Sequence, residues 1–174
     1  MAGTLTVQNI EGPSSGANAN KVILNTGQTL YAPGHVVQTI FVNDSDEYAN
    51  NTTSYTDTNL TATITPTSSN SKILVTSNLA LDVACGTVLN ARLLRGSTAI
   101  KTEGYWAFIS TQSTADYILM RQPHIYLDSP ATTSAITYKW QIARHSGTAL
   151  AAYLSYDDTS GVTDSQFVLQ EIAQ

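Results

Sequence analysis

Thr58-Asn59-Leu60-Thr61-Ala62-Thr63-Ile64-Thr65-Pro66-Thr67-Ser68-Ser69-Asn70-Ser71 runs on into Lys72-Ile73-Leu74-Val75-Thr76-Ser77-Asn78-Leu79-Ala80-Leu81-Asp82-Val83, and this stretch decides the fold. Leu60, Ala62 and Ile64 alternate with Thr61 and Thr63, the period-2 mark of a strand with one face buried. Pro66 to Ser71 contains only turn-formers and hydroxyl residues and reads as a turn. Beyond it Ile73, Val75, Ser77, Leu79, Leu81 and Val83 share one phase of a long strand. Two strands joined by a short polar turn, with no helical period in either, make a β unit.

The same reading extends in both directions. His35 to Val42 is a mostly apolar strand, and Asp44-Ser45-Asp46-Glu47 with Ala49-Asn50-Asn51 forms a polar loop. Thr87 to Leu94 and Thr98 to Lys101 flank a tight Arg95-Gly96-Ser97 turn and predict a hairpin. Tyr117 to Met120, His124 to Leu127, Ala135 to Ala143, Thr148 to Tyr153 and Gln166 to Ile172 complete the set. Ile136, Tyr138, Trp140 and Ile142 alternate with Thr137, Lys139 and Gln141, which places Trp140 in the core. Some eight to ten strands with turn signals about every dozen residues predict an all-β chain. The fold expected is an antiparallel β-sandwich of jelly-roll type, with a closed barrel as the other all-β solution.

Residues 1–33 differ from the rest. Leu5 to Ile10 and Lys21 to Leu24 are short apolar runs split by the turn-forming stretch Glu11 to Asn20. They hold too few apolar side chains for a core of their own. The expected organisation is therefore an extended N-terminal arm at 1–33, used for attachment or intertwining, and a β-sandwich at 34–174.

Composition excludes several functions. The chain of 174 residues carries 8 Lys and Arg against 13 Asp and Glu, a formal charge of -5. With no basic cluster, phosphate neutralisation cannot drive nucleic-acid binding. No apolar run approaches the roughly 20 residues of a membrane-spanning helix, and Met1 to Thr6 shows no secretory signal. Membrane insertion and Sec export are therefore not expected. Cys85 is the only cysteine, so no intrachain disulfide can form, and among Val83, Ala84 and Val88 it reads as a buried thiol. Ser and Thr make up roughly a quarter of the chain while charged residues are 12%. Such strands show hydroxyls to water rather than Lys and Glu.

Chemistry-bearing groups are scattered. His35, His124 and His145 stand apart, with no metal-ligand spacing, and no metal or cofactor is expected. Asp44, Asp46 and Glu47, and Asp157, Asp158 and Asp164, read as solvated loop tips, since no EF-hand pattern is present. Asp82 and Glu103 are flanked by apolar strand residues, and each is expected to face water. No Gly-x-Ser-x-Gly, P-loop or Gly-x-Gly-x-x-Gly occurs, and no catalytic residue is assigned. Tyr105-Trp106-Ala107-Phe108 and the dispersed tyrosines could stack on sugar rings, but core and interface packing is the preferred reading. Asn50-Asn51-Thr52-Thr53 and Asn59-Leu60-Thr61 match the glycosylation sequon, which carries no information without a secretory signal.

Tyr55 to Val75, with its Asp57-Thr58-Asn59-Leu60 strand, Ile64-Thr65-Pro66 turn and Ser71-Lys72-Ile73-Leu74-Val75 closure, resembles a segment of structural proteins of tailed phages. The likeness is to those of cyanophages and other aquatic phages. Gly3 to Ile10 and the Leu93-Leu94-Arg95-Gly96 hairpin resemble the same family, so the resemblance covers most of the chain. It implies a non-enzymatic virion protein with a β-sandwich body, commonly a homotrimer, assembled in the host cytoplasm. The expected partners are other copies of the chain, other virion proteins through the arm, and a host-surface glycan. A tail-fibre or adsorption-type protein is the expectation. Its receptor-facing candidates are Asp44, Asp46, Tyr48, Tyr55, Tyr105, Trp106, Tyr156, Asp157 and Asp158. A capsid decoration protein, favoured by the short chain, and a carbohydrate-binding module are the alternatives.

Overall fold

A computed structural model describes residues 11–17, 19, 32–84, 88–103, 117–146, 152–155, 157–158, 161–162 and 164–174. The chain divides into Met1–Ala32 and Pro33–Gln174. In the first part the described residues form a turn in which the Ala19 N–H donates to the Gly16 carbonyl at 3.1 Å.

The second part is all β. Its strands are β1 (Val36–Asp44), β2 (Tyr48–Asn50), β3 (Thr56–Ile64), β4 (Lys72–Ala84), β5 (Val88–Arg95) and β6 (Thr98–Glu103). They continue as β7 (Tyr117–Asp128), β8 (Ile136–Ser146), β9 (Ala152–Leu154), β10 (Asp157–Asp158), β11 (Gly161–Val162) and β12 (Ser165–Ile172). One sheet runs β1-β12-β4, with β7 on the far side of β4 and the short β9 and β2 extending it beside β12. The other runs β3-β8-β5-β6, and every pairing is antiparallel. Counting only the eight principal strands, the orders are first-eighth-third-sixth and second-seventh-fourth-fifth. Strands from the two ends of the chain thus pair at one margin of each sheet, β1 with β12 and β3 with β8, and these two strand orders are the jelly-roll arrangement. Among the described residues no strand pairs one sheet to the other, so the sheets do not close into a barrel.

Alternation decides which side chains meet between the sheets. Ile73, Val75, Leu79 and Leu81 of β4, and Phe167 and Leu169 of β12, face Leu60 and Ile64 of β3, Leu89 and Leu93 of β5, and Tyr138, Trp140 and Ile142 of β8. Trp140 is 1% exposed, in the core as its strand predicts. Three other expectations need correction. Residues 117–128 form one continuous strand, not two. Pro123 is tolerated there because β7 pairs only with β4 among the described residues, so the missing N–H falls on an edge. Tyr48-Ala49-Asn50 is a strand paired with β9 rather than part of a loop. Asp82 does not face water but is 3% exposed.

Irregular points are closed by hydroxyls. β4 changes partner from β12 to β9 around Ala80. Its N–H there donates to Ser165 Oγ at 3.0 Å, and its carbonyl accepts from the Ser155 N–H at 2.9 Å. Neither backbone group is left unpaired at the switch. Where the β3–β8 register slips between Asp57 and Thr61, Thr58 Oγ1 donates to the Trp140 carbonyl at 2.9 Å and Thr61 Oγ1 to that of Tyr138 at 3.2 Å. Gly96, at φ 59°, makes the two-residue turn between β5 and β6 without strain.

Two buried carboxylates tie the layers together. Asp128, on β7, accepts from Tyr138 Oη at 2.6 Å and from Arg95 Nη1 at 2.9 and 3.0 Å, which joins one sheet to the other. Burial first, and the bond to Asp128 second, push the Tyr138 phenol far above its ordinary value, so it stays a neutral donor. Glu171, fully buried on β12, accepts from Gln38 Nε2 at 2.7 Å and from the Thr67 N–H and Oγ1 at 2.8 and 2.7 Å. Burial pushes its carboxyl upward, but bonds from Gln38, Ser71 and Thr67 together outweigh burial and hold it below its ordinary 4.5.

Replacing Tyr138 with Phe removes the donor and leaves Asp128 buried with one bond fewer. Urea denaturation should show a loss of about 1–3 kcal/mol with an unchanged m-value. Glu171 contributes stability that is full above the unfolded pKa and disappears as pH falls through the lower folded one. Wild-type melting temperature should therefore drop as pH falls below 4.5, the ordinary Glu value. Glu171→Gln should start less stable at pH 7 and show a shallower fall over that acid range.

Candidate functional site

The residues of Tyr55 to Val75 are used within the fold. Asp57 accepts from Lys139 Nζ at 2.6 Å and Gln141 Nε2 at 2.5 Å, Thr58 and Thr61 bridge the register slip, and Leu60 is core. Thr67 and Ser71 hold Glu171, and Gln38 Nε2 reaches the Thr65 carbonyl at 2.7 Å. The motif is thus a recipe for closing one end of a sandwich.

The predicted receptor-facing residues fall in different settings. Asp44 ends β1. Its carbonyl accepts from Ser155 Oγ at 2.9 Å, and its Oδ1 accepts from the Asp46 N–H at 3.3 Å. Burial first raises the Asp44 carboxyl, the Asp46 N–H opposes that, and the like charges of Asp46 and Asp164 add to it. Asp46 is exposed in the turn that follows. Tyr48 packs against the hydrophobic core. Asp157 and Asp158 form β10, paired with β11. Tyr105, Trp106 and Tyr156 lie outside the described residues, as does Cys85. Among the described residues no group of three or more His, Cys, Asp or Glu is placed to hold a metal ion.

Tyr55 belongs to a polar ladder on the outer side of the β3-β8-β5-β6 sheet. The Arg92 guanidinium lies 4.1 Å from its ring centroid, and Arg92 Nε donates to Gln141 Oε1 at 2.6 Å. Gln141 and Lys139 in turn hold Asp57, whose carboxyl is lowered first by the bond from Lys139 and then by that from Gln141. Next to it Thr63 and Thr137 share a hydroxyl bond of 2.8 Å. The face is wet and charged, and one side of the Tyr55 ring is already covered by a cation. Asn50 is 5% exposed and donates to the Ser54 carbonyl, Thr56 Oγ1 and the Ile142 carbonyl. It organises the loop after β2 and does not present an amide for glycosylation.

The outer side of the other sheet is the opposite in character. The exposed large hydrophobic residues are Val36 (47%), Phe41 (60%), Leu119 (53%), Ile125 (73%) and Leu127 (51%), and strand alternation places all of them on this face. Register aligns Phe41 with Val168, Val168 with Thr76 and Thr76 with Ile125, so one row crosses four strands. Leu74 and Leu127 stand opposite each other in a second row, and Val36 and Ile172 in a third. Between the rows lie Thr, Asn and Gln. The charged groups in this phase among the described residues are Lys72 at one end and, at the other, Asp82, in register with Leu119 and 3% exposed, and Arg121, whose Nη1 donates to the Asp164 carbonyl at 2.8 Å. Asn43 Nδ2 donates to the Asp164 carboxylate at 2.8 Å and continues that polar strap to β1. This face is the most distinctive surface among the described residues. The mostly apolar run His35 to Val42 held its signal, because a strand apolar in both phases has work for both faces.

No family model and no curated protein matches the chain. Among solved structures it is similar to T=1 particles derived from infectious bursal disease virus, at 14% identity and a TM-score of 0.48, over 86% of this chain and 35% of that one. It is also similar to the VP2 subviral particle of infectious bursal disease virus, at 13% identity and a TM-score of 0.44, over 93% of this chain and 46% of that one. For the Gt strain of that virus the values are 13% and 0.45, over 88% and 42%. The chain thus spans less than half the length of each of these structures. The jelly-roll assignment stands on the strand order of the chain itself.

Proposed function

We propose that this chain is a non-catalytic, self-associating structural protein of a tailed-phage virion, of tail-fibre or adsorption type, working as three copies. The observation that carries the reading is the apolar, nearly uncharged outer face of the β1-β12-β4-β7 sheet. Leaving such a face in water is unfavourable, and assembly is the ordinary way to cover it. The opposite sheet, with its ladder of bonded charges and threonines, is finished for solvent. The phage-like segment supports the same reading, since its residues build a rugged sandwich and not a reactive centre. With one cysteine, stability outside the cell has to come from packing and association. Residues 1–33 attach the body to other virion proteins, and loops of residues 34–174 contact a host-surface glycan.

A capsid decoration protein is the second reading, and the same broad face favours it, because a flat apolar sheet can also lie against a shell. The two separate cleanly. The fibre-type protein binds host cells and competes with infection. The decoration protein binds purified capsids and raises their melting temperature.

Light scattering on the full chain should give three times the 18.6 kDa of one chain. Deleting residues 1–33 should leave a folded body of the same copy number that no longer joins particles. An aggregated or unfolded product would count against an arm that is dispensable for folding.

A further inference from the structure

We infer that copies of this chain pack around an axis parallel to the strands of the β1-β12-β4-β7 sheet, with that sheet's outer face turned to the axis. The β1 margin of one copy meets the β7 margin of the next. This deepens the self-association proposed above and rests on it.

The two margins complement each other. The row Phe41-Val168-Thr76-Ile125 ends in a large exposed side chain on each side, Phe41 on β1 and Ile125 on β7. A rotation about an axis along the strands leaves every row at its own height. Phe41 of one copy therefore comes level with Ile125 of its neighbour. The charges follow the same geometry. Arg121 pairs with Ala80 in register, beyond the level where Asn78 pairs with Gln166 and Gln166 with Asn43. Asp44, Ser45 and Asp46 follow Asn43 at the β1 margin. At one height, then, a copy carries Arg121 on β7, its Nη1 turned across the sheet to the Asp164 carbonyl, and an acidic turn at its β1 side. Parallel neighbours bring these together. Inverting one copy along the strands would set Lys72 towards Arg121 and Val36 against Asp44, which mismatches both charge and polarity.

The size is adequate. Four strands at about 4.8 Å spacing and eight residues at about 3.3 Å rise cover on the order of 500 Å² in plan. Side-chain relief brings that towards the roughly 800 Å² per partner of a standard interface. The polar strap of Arg121, Asp164 and Asn43 bounds the rows of Phe41, Val168, Ile125 and Leu127 at one end, with Leu119 beyond it, and Lys72 stands at the other, leaving a dry centre with a polar rim.

Light scattering across a dilution series tests the arrangement on the full chain. Ile125→Glu and Phe41→Glu should each weaken association roughly tenfold or more, as truncating a central anchor does. Thermal melting should show both variants folded, because both positions are exposed. Thr63→Glu, on the outer side of the other sheet, should associate like wild type. Arg121→Asp should weaken association at low salt, and Arg121→Asp with Asp46→Arg should restore it. A wild-type chain that is monomeric at every concentration would overturn the self-association and this inference together. An oligomer indifferent to Ile125→Glu and Phe41→Glu would overturn the inference alone. An oligomer broken by both but not restored by the charge exchange would overturn the parallel arrangement.

Discussion

Side chains along a strand point alternately to two sides, and this rule sets the terms for every other feature of the molecule. Once Ile73, Val75, Leu79 and Leu81 turn inward to meet Tyr138, Trp140 and Ile142, the intervening Leu74, Thr76 and Asn78 must turn outward. The register of β12 and β7 against β4 then lines up whatever else stands in that phase. The core and the outer faces are not separate designs. A slip of one residue in β4 would exchange them, sending the buried set to water and the outer set inside.

The two outer faces resolved the consequence differently. On β8, Thr137, Lys139 and Gln141 are outward, and they are knitted to Asp57, Thr63 and Arg92 by short side-chain bonds. On β7, Leu119, Ile125 and Leu127 are outward, and nothing among the described residues covers them. A domain finished on both sides would resemble the first case twice. The difference between the faces, more than any single side chain, is the observation on which the proposed self-association rests.

Polar atoms inside the sandwich serve geometry. Asp128 sits between Tyr138 and Arg95 and fixes how one sheet lies on the other. Glu171 gathers Gln38, Thr67 and Ser71 around the turn between β3 and β4. Ser165 and Ser155 complete the backbone of β4 where its partner changes. Buried charges are costly unless well bonded, and Asp128 and Glu171 are bonded on several sides. The threonine and serine content that marks the composition is in part spent on these closures.

Local pattern was enough to name the fold class, because period-2 alternation is written residue by residue. Leu60-Ala62-Ile64 and Tyr138-Trp140-Ile142 announced strands and an inside, and Gly96 announced a hairpin. The long strand β7 was less legible, since Arg121-Gln122-Pro123 looks like a break until the strand is known to lie at an edge. Tyr48-Ala49-Asn50 became a strand only because β9, a hundred residues later, supplies its partner. Pairing between the ends of the chain, the meeting of Asp128 with Tyr138 and Arg95, and the gathering of Phe41, Val168 and Ile125 into one row were decided by tertiary structure alone. Each depends on register between distant strands, and alternation within a strand says which side a residue takes but not which residue stands beside it.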